Sequence, residues 1–596
     1  MMPRSPLRLA LALFPLFAWS AAAVPIHVTH LWHMHQPIYY PYENAVTADN
    51  NGRMPYSILG SVFDGDRRSA YQYWPPAAVG YAHDRGMAHA GSQVSYSGSL
   101  AENANAIGLT AGDYANARNN KRTSLNNPRL DLVGIAYHHS LMPLTCPESM
   151  AMQIRLHKEQ YKDQWGTSEY SKGFWPPECA FDQTMIPSLV DEGLEWVIVD
   201  NGHLFRTVTD FPWSSASSCK PNAADMVNGS SESLASQWVQ LPNVWAPTKV
   251  LAPWSYQPHY VQHVNPETGE IKKIIAVPAG RYEGNENGRG GYGAFKPENV
   301  WGGEIAANTD ANKPMLLLLH SDGDNYGMKN ADAWNGQQNL FLDMVQANAD
   351  FEYTSVQDYL SLYPPSESDV IHVEPGSWIG IDGGTPYYEK WLSSTYENGT
   401  NPDRWSWSVL VAAQNRVILA DTLENTYSMN DVEWGIGSDT AKAWHFYLNA
   451  ETSCYWYWDH SGEPWDGYVT RASNLAVAEA MKVINRHPGG DTKGPSIFPP
   501  QRNVYNPGSY MWEENDPDPS DFTVWSHVDD GSGLESVTLK WRTDKDGHNP
   551  LASTQNETFD GGDEVNAWNS VPMSGSWDPA QKVSVCPDPV ARAQMF

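Results

Sequence analysis

A chain of 596 residues is several times the ~100–200 residues of an ordinary domain, so it holds several domains and is no small binding module. A formal net charge of −31 opposes phosphate backbones and anionic lipid, which excludes nucleic acid and membrane surfaces as partners. Aromatic residues make up 12% of the chain, with 26 Trp and 30 Tyr. That excludes a disordered chain and suits a ligand with an apolar face and a hydroxylated rim.

In chain order, residues 1–23 carry two arginines, an apolar run from Leu9 to Trp19 and small residues ending at Ala23. They read as a secretory signal cut before Val24, so the protein is expected to be secreted or periplasmic. Apolar runs of the kind buried on both faces of a parallel sheet follow at Ile26–Trp32, Leu130–Ala136, Trp196–Asp200, Lys273–Pro278 and Met315–His320. Helical patterns at Met150–Tyr161 and Thr184–Glu192 lie between them, which predicts an α/β sheet or barrel over 24–375. Apolar residues at three- and four-residue spacing then predict helices at Asp403–Thr422, Ser438–Ala450 and Tyr468–Ile484, a helical subdomain over 376–488. A Pro/Gly-rich linker opens a region at 489–596, where Asp521–Arg542 alternates around a Gly-containing turn and reads as a β-hairpin of a sandwich module. The 75 residues after Asp521 are fewer than the ~100 of a full sandwich. Five cysteines, an odd number, allow at most two disulfides, and no C-x-x-C pair supports a thiolate zinc site.

Four segments hold residues suited to chemistry. In HVTHLWHMHQP, strand alternation puts His33 and His35 on one face and His30 on the other, with Gln36 at the strand's C-terminal mouth. These groups suit sugar hydroxyls; satisfied polar groups at a strand end, or two ligands of a zinc lacking an evident third, are the competing readings. In GFWPPECAFD, two prolines stiffen a turn that offers Glu178 three residues after Trp175, as a glycosidase nucleophile requires; an ordinary loop carboxylate has the same spacing. In PMLLLLHSDGDNYG, an apolar strand ends in His320, Asp322 and Asp324; a calcium loop competes, but Tyr326 breaks its pattern. The fourth, DLVGIAYHHSLMP, offers Asp131 and then Tyr137, His138 and His139, although a buried, paired Asp131 fits equally.

Taken together and in this order, the four segments resemble the motifs of glycoside hydrolase family 57, retaining enzymes acting mainly on α-glucans. His33, His35, Gln36 and Pro37 match H-x-H-Q-P; Trp175, Pro177 and Glu178 match the nucleophile turn; HSDGDNYG matches the acid/base motif with Asp324 and Tyr326 as departures. Asp131 with Tyr137–His139 is the nearest match to the second motif, QVSYSGSL at 93–100 is family-like, and AETSCYWYWD has Cys454 where the family carries Asp.

The resemblance implies an incomplete (β/α)7 barrel followed by a helical subdomain, with a C-terminal β-sandwich outside the catalytic pattern. It also implies Glu178 as nucleophile and Asp322 as acid/base, the latter with a pKa raised by burial and by Glu178. His33, His35, Gln36, Asp131, His139, His320 and Asp324 would bind substrate and Trp175 would stack on it, while Trp254, Arg281 and Glu283 are candidates for further subsites. No metal or cofactor is implied, and the partner is an α-glucan oligo- or polysaccharide. Export favours a hydrolase of α-amylase or amylopullulanase type over a 4-α-glucanotransferase or branching enzyme of the same family. A metal-dependent polysaccharide deacetylase is the alternative with different chemistry.

Overall fold

The computed structural model describes residues 24–596 apart from residues 111, 215–218, 223–224, 230–237, 242–248, 284–301, 325–337, 379–387, 393–401, 459–464, 505, 511–514, 544, 546–564 and 578–585. Residues 1–23, read above as a signal, and Tyr326 of HSDGDNYG therefore lie outside the described residues.

Strands in the first two thirds of the chain are β1 (Ile26–Met34), β2 (Ser92–Tyr96), β3 (Leu130–Leu132), β4 (Gly173–Phe174), β5 (Trp196–Asp200) and β6 (Trp238–Gln240). They continue as β7 (Lys249–Leu251), β8 (His259–Val264), β9 (Ile271–Gly280), β10 (Leu316–Asp322), β11 (Phe351–Tyr353) and β12 (Val370–Ile371). Ten of them form one sheet in the order β12-β8-β9-β10-β1-β2-β3, with β11 beside β1, β5 beside β9 and β4 beside β5. Every pairing is parallel except β8 with β9. The fold is thus α/β with a mixed, largely parallel sheet. All nine residues of β1 are buried, as a central strand covered on both faces requires.

Two departures from the sequence reading are instructive. The run Leu130–Ala136 ends as a strand at Leu132, because the backbone changes partners there: Val133 N–H still bonds Val94 O at 3.0 Å, whereas Gly134 N–H bonds Gly173 O at 2.8 Å, a parallel bridge toward β4. Conversely, β2 (SQVSY) carries no apolar run yet is wholly buried. Its polar side chains are satisfied internally: Gln93 donates to Thr29 Oγ1 (2.8 Å) and His30 O (3.0 Å) and accepts from Val356 N–H (2.9 Å). Burial of polar groups costs little once each is bonded.

The helical expectations hold closely. Pro147–Trp165 has Pro at its first turn and Gly166 at φ 65° as its C-terminal stop, and helices follow at Asp403–Leu423, Asp439–Ala450 and Trp465–Arg486. Trp407 of the first of these three stacks on Trp456 with centroids 4.3 Å apart, tying the helices to the segment that follows Ala450. No helix among the described residues is long and apolar enough to cross a membrane.

Beyond 488 the described residues form small antiparallel sheets. The expected hairpin is not one. His527–Asp529 pairs with Ser496–Ile497 and Gln594–Met595, and Thr538–Trp541 pairs with Asn569–Pro572, so the two strands flanking the Asp530–Gly533 turn bond elsewhere. A turn signal fixes a change of direction, whereas the pairing partner is set by tertiary packing. None of the five cysteines is joined in a disulfide.

Candidate active site

β1 and β10 run side by side in a register that sets His33 opposite Asp322 at their C-terminal ends, with Ser95 of β2 opposite His33 on the other side. His30, one face away, packs against Phe341 and Tyr353, as strand alternation requires.

Glu178 arrives on the turn after β4. Trp175 N–H bonds Gly134 O (2.8 Å) ahead of it, and Phe181 exchanges two backbone bonds with Gly376 behind it (2.9 and 3.1 Å). Between these anchors Glu178 and Cys179 sit at φ 62° and 50°, a left-handed conformation that non-glycine residues avoid. His139 at φ 62° is a third such residue in the same cluster; strain of this kind persists only where the surroundings impose it. Close packing beneath the turn depends on Gly173, where a Cβ would meet the Trp196 ring at 2.1 Å.

The Glu178 side chain is 13% exposed. Its two oxygens each accept one hydrogen bond: Oε1 from Ser453 Oγ (2.7 Å) and Oε2 from Trp378 Nε1 (2.8 Å). His139 Nδ1 lies 3.7 Å from Oε1 and bonds Ser453 Oγ at 2.9 Å. Burial pushes the Glu178 carboxyl above its ordinary range, while the bonds from Trp378 and Ser453 and the charge of Lys390 pull it back down.

Histidine rings line the floor. His33 Nε2 meets His139 Nε2 at 3.2 Å, and the His35 and His139 rings stack with centroids 4.0 Å apart. Ser95 and Ser97 hold the Nδ1 atoms of His33 and His35 at 2.9 and 2.7 Å. Burial drives His33, His35 and His139 well below the usual histidine range, and His320 down to about 3 with help from Arg281, so the floor is neutral. Nitrogen atoms of His35 and His139 and the sulfur of Cys454 lie within 4.8 Å of one another, the donor set of a soft metal. Because those two rings are stacked and parallel, their in-plane lone pairs do not converge, and a shared ion would need one ring to turn.

The structure gathers His33, His35, His139, Trp175, Glu178 and His320 into this cluster, with Asp322 beside His33. Trp175 corrects its expected role: it is 2% exposed, tilted under His33 at 4.2 Å and within 5.5 Å of the His320 ring, so it supports the histidines and offers no free face to a sugar. Asp322 is exposed at the end of β10, where burial was expected. Gln36 and Asp324 form an adjoining group, with Gln36 Nε2 donating to Tyr71 OH (2.9 Å) and Asp324 Oδ2 (3.2 Å), and Tyr71 also bonding Asp324. Asp324 is raised by burial against the opposing pull of Tyr71, Arg67 and Gln36.

Asp131 does not join the cluster. Its register opposite Gln93, itself opposite Leu31, sets it two residues short of His33, and its carboxylate accepts from Ser171 at 3.0 Å. His138 likewise turns away to Ser99 and Tyr42, each at 2.8 Å. Of the guessed subsite residues, Arg281 lies 5.7 Å from the Trp378 ring, whereas Trp254 packs on His259 and Glu283 is buried against Tyr256.

Sequence reasoning missed Trp378 and Ser453. Trp378 stands in no motif. The neighbour of Ser453, Cys454, drew notice only for what it replaces, although its thiol lies 3.4 Å from His35 Nε2. From Trp378 an aromatic run continues outward through Tyr457 (6.2 Å) to Trp458 (5.0 Å further), which is 45% exposed.

Residues 93–236 match the sequence profile of Glycosyl hydrolase family 57. An alpha-amylase of Niallia circulans is 24% identical over 90% of this chain, and the chain spans about half (49%) of that relative's length. Among solved structures, a family 57 branching enzyme from Thermococcus kodakaraensis resembles it at TM-score 0.48 and 12% identity over 78% of this chain and 92% of the other. The 4-alpha-glucanotransferase from Thermococcus litoralis gives 0.46 and 14%, over 77% and 60%. The profile match over residues 93–236 and the relative aligned along 90% of the chain make it similar to glycosyl hydrolase family 57.

Proposed function

We propose that this protein is an exported retaining glycoside hydrolase of α-amylase type that cleaves α-glucosidic bonds of starch-like glucans. The observation that carries the reading is the setting of Glu178: a carboxylate bonded on both oxygens by neutral donors and fixed at a strained turn beside a floor of imidazoles. Such preorganisation is what a nucleophile needs and an incidental loop carboxylate does not. Glu178 attacks the anomeric carbon, forming a glycosyl ester while Asp322 protonates the departing oxygen. Asp322 then takes a proton from water as the ester is hydrolysed, with the two carboxyls working about 5–5.5 Å apart. His35 turns its Nε2 to sugar hydroxyls, His33 and His139 support it and the nucleophile from behind, and Trp378, Tyr457 and Trp458 offer ring faces along which further glucose units lie.

The finer architecture belongs to the same reading. Parallel pairings running β1-β2-β3 and β4-β5-β9-β10-β1, joined by the Gly134–Phe174 bridge, support a seven-stranded barrel over 24–375. The helices after Asp403 support a subdomain at 376–488, and the small antiparallel sheets support a β module at 489–596.

The test is twofold. A slow fluorinated glucosyl donor should leave a covalent sugar on the peptide carrying Glu178, read by mass spectrometry. Amylose should release new reducing ends without short maltooligosaccharides being elongated. Elongation would convert the reading to a transferase, and activity abolished by a chelator with no adduct would convert it to a metal-dependent deacetylase.

A further inference from the structure

Five side chains form an unbroken hydrogen-bonded line into the candidate nucleophile: Ser95 Oγ to His33 Nδ1 (2.9 Å), His33 Nε2 to His139 Nε2 (3.2 Å), His139 Nδ1 to Ser453 Oγ (2.9 Å) and Ser453 Oγ to Glu178 Oε1 (2.7 Å). Hydrogen counting fixes every link once Glu178 is ionised and the imidazoles are neutral. A carboxylate only accepts, so Ser453 spends its one proton on Glu178 and must accept from His139. His139 is then protonated at Nδ1 and bare at Nε2, so His33 donates from Nε2. His33 is therefore bare at Nδ1 and receives the hydroxyl of Ser95. All four donors point toward Glu178.

We infer that Ser453 is a positioning residue that couples the histidine floor to Glu178, and that the relay from Ser95 locks His33 and His139 into single, complementary tautomers. This deepens the hydrolase reading and rests on it for its kinetic consequences only; the tautomers belong to the resting protein. Ser453 is held for the task from the backbone as well. Its own N–H bonds His139 O at 2.9 Å, and the adjoining Thr452 bridges Ser140, so the segment after Ala450 is stitched to the loop that carries His139. Both ring nitrogens of His33 and of His139 are spent within the line, so the two imidazoles hold Ser453 and Glu178 in place and offer no nitrogen to a sugar.

Other ionisable groups near Glu178 leave the line intact. Lys390 lowers the carboxyl through space, and the Cys179 and Cys454 thiols are pushed up by burial and stay neutral.

Two measurements on the full chain test the inference. Imidazole 15N spectra of histidine-labelled protein, with signals assigned by their loss in H33Q and H139Q, should show His139 protonated at Nδ1 and His33 at Nε2, unchanged between pH 6 and 8. The opposite tautomer, a mixture, or an imidazolium at either position overturns it. In kinetics on maltooligosaccharides, Ser453→Ala removes a bond to the charged form of Glu178. The acidic limb of kcat/KM should then move up by about one pH unit, and S453T, which keeps a hydroxyl, should move it back. A rate loss in S453A with the limb unmoved, at unchanged melting temperature, overturns the role of Ser453. Should no α-glucan be cleaved at all, the hydrolase reading fails while the spectra still decide the relay.

Discussion

The two carboxylates assigned to chemistry sit in opposite settings. Glu178 is nearly enclosed, bonded at both oxygens and strained at its backbone, whereas Asp322 is exposed at the end of β10 beside His33. The difference fits the tasks proposed for them. A nucleophile must be ionised and aimed before substrate arrives, so its shell is built into the fold. A general acid gains its raised pKa when a bound sugar excludes water from it, so an exposed position at the strand end is compatible with the role.

The sharpest way to break this contrast is to remove each charge in turn. Glu178→Gln keeps the shape and the Trp378 contact yet abolishes the ester, and should cost at least ~10⁴-fold in kcat on maltooligosaccharides with sugar binding retained. Residual turnover above that level would mean the chemistry lies elsewhere. Asp322→Asn should cost ~10²–10⁴-fold on natural glucans, where the leaving oxygen needs a proton, and far less on an aryl glucoside whose phenolate departs unaided. Equal losses on both substrates would deny Asp322 the acid role.

Much of this was legible in the sequence because its signals were local. The apolar runs gave β1, β5, β9 and β10, and the helical spacing gave the long helices within a few residues of their ends. Glu178 was legible because two prolines before a carboxylate are a backbone statement. What escaped were residues whose meaning comes only from closure of the fold. Trp378 lies 200 positions from Glu178 and Ser453 lies 275, and no spacing rule connects them. The platform role given to Trp175 failed for a related reason: an indole three residues from a carboxylate can lie under the site or over it, and only packing decides. Asp131 was misplaced by a register of two residues, which a motif match without its strand partners does not resolve.

Intermediate in size is the effect of Trp378. Trp378→Phe keeps a ring face for sugar but withdraws the bond to Glu178 Oε2, so kcat/KM should fall ~10–100-fold and its acidic limb should rise. A loss confined to KM would mean that Trp378 serves the sugar and leaves the nucleophile alone.

Asp131 sharpens the comparison from outside the site, since it shares the burial of Glu178 without its setting. Burial raises it from 3.8 to about 6, against the bond from Ser171 and the charge of Arg118. A carboxyl whose folded pKa lies above its unfolded value binds its proton more tightly in the fold. Its favourable contribution is complete below pH ~4 and is lost as pH rises through 6, and its ionisation then costs about 3 kcal/mol at neutral pH. Asp131→Asn, which cannot ionise and still offers an oxygen to Ser171, should therefore gain in melting temperature relative to the parent as pH climbs from 4 to 7, with kcat changed less than twofold. A large loss of kcat in D131N would return Asp131 to the site. A flat difference in melting temperature across that range would mean that the carboxyl ionises in the fold as freely as in the unfolded chain, and that burial alone is not what sets Glu178 apart.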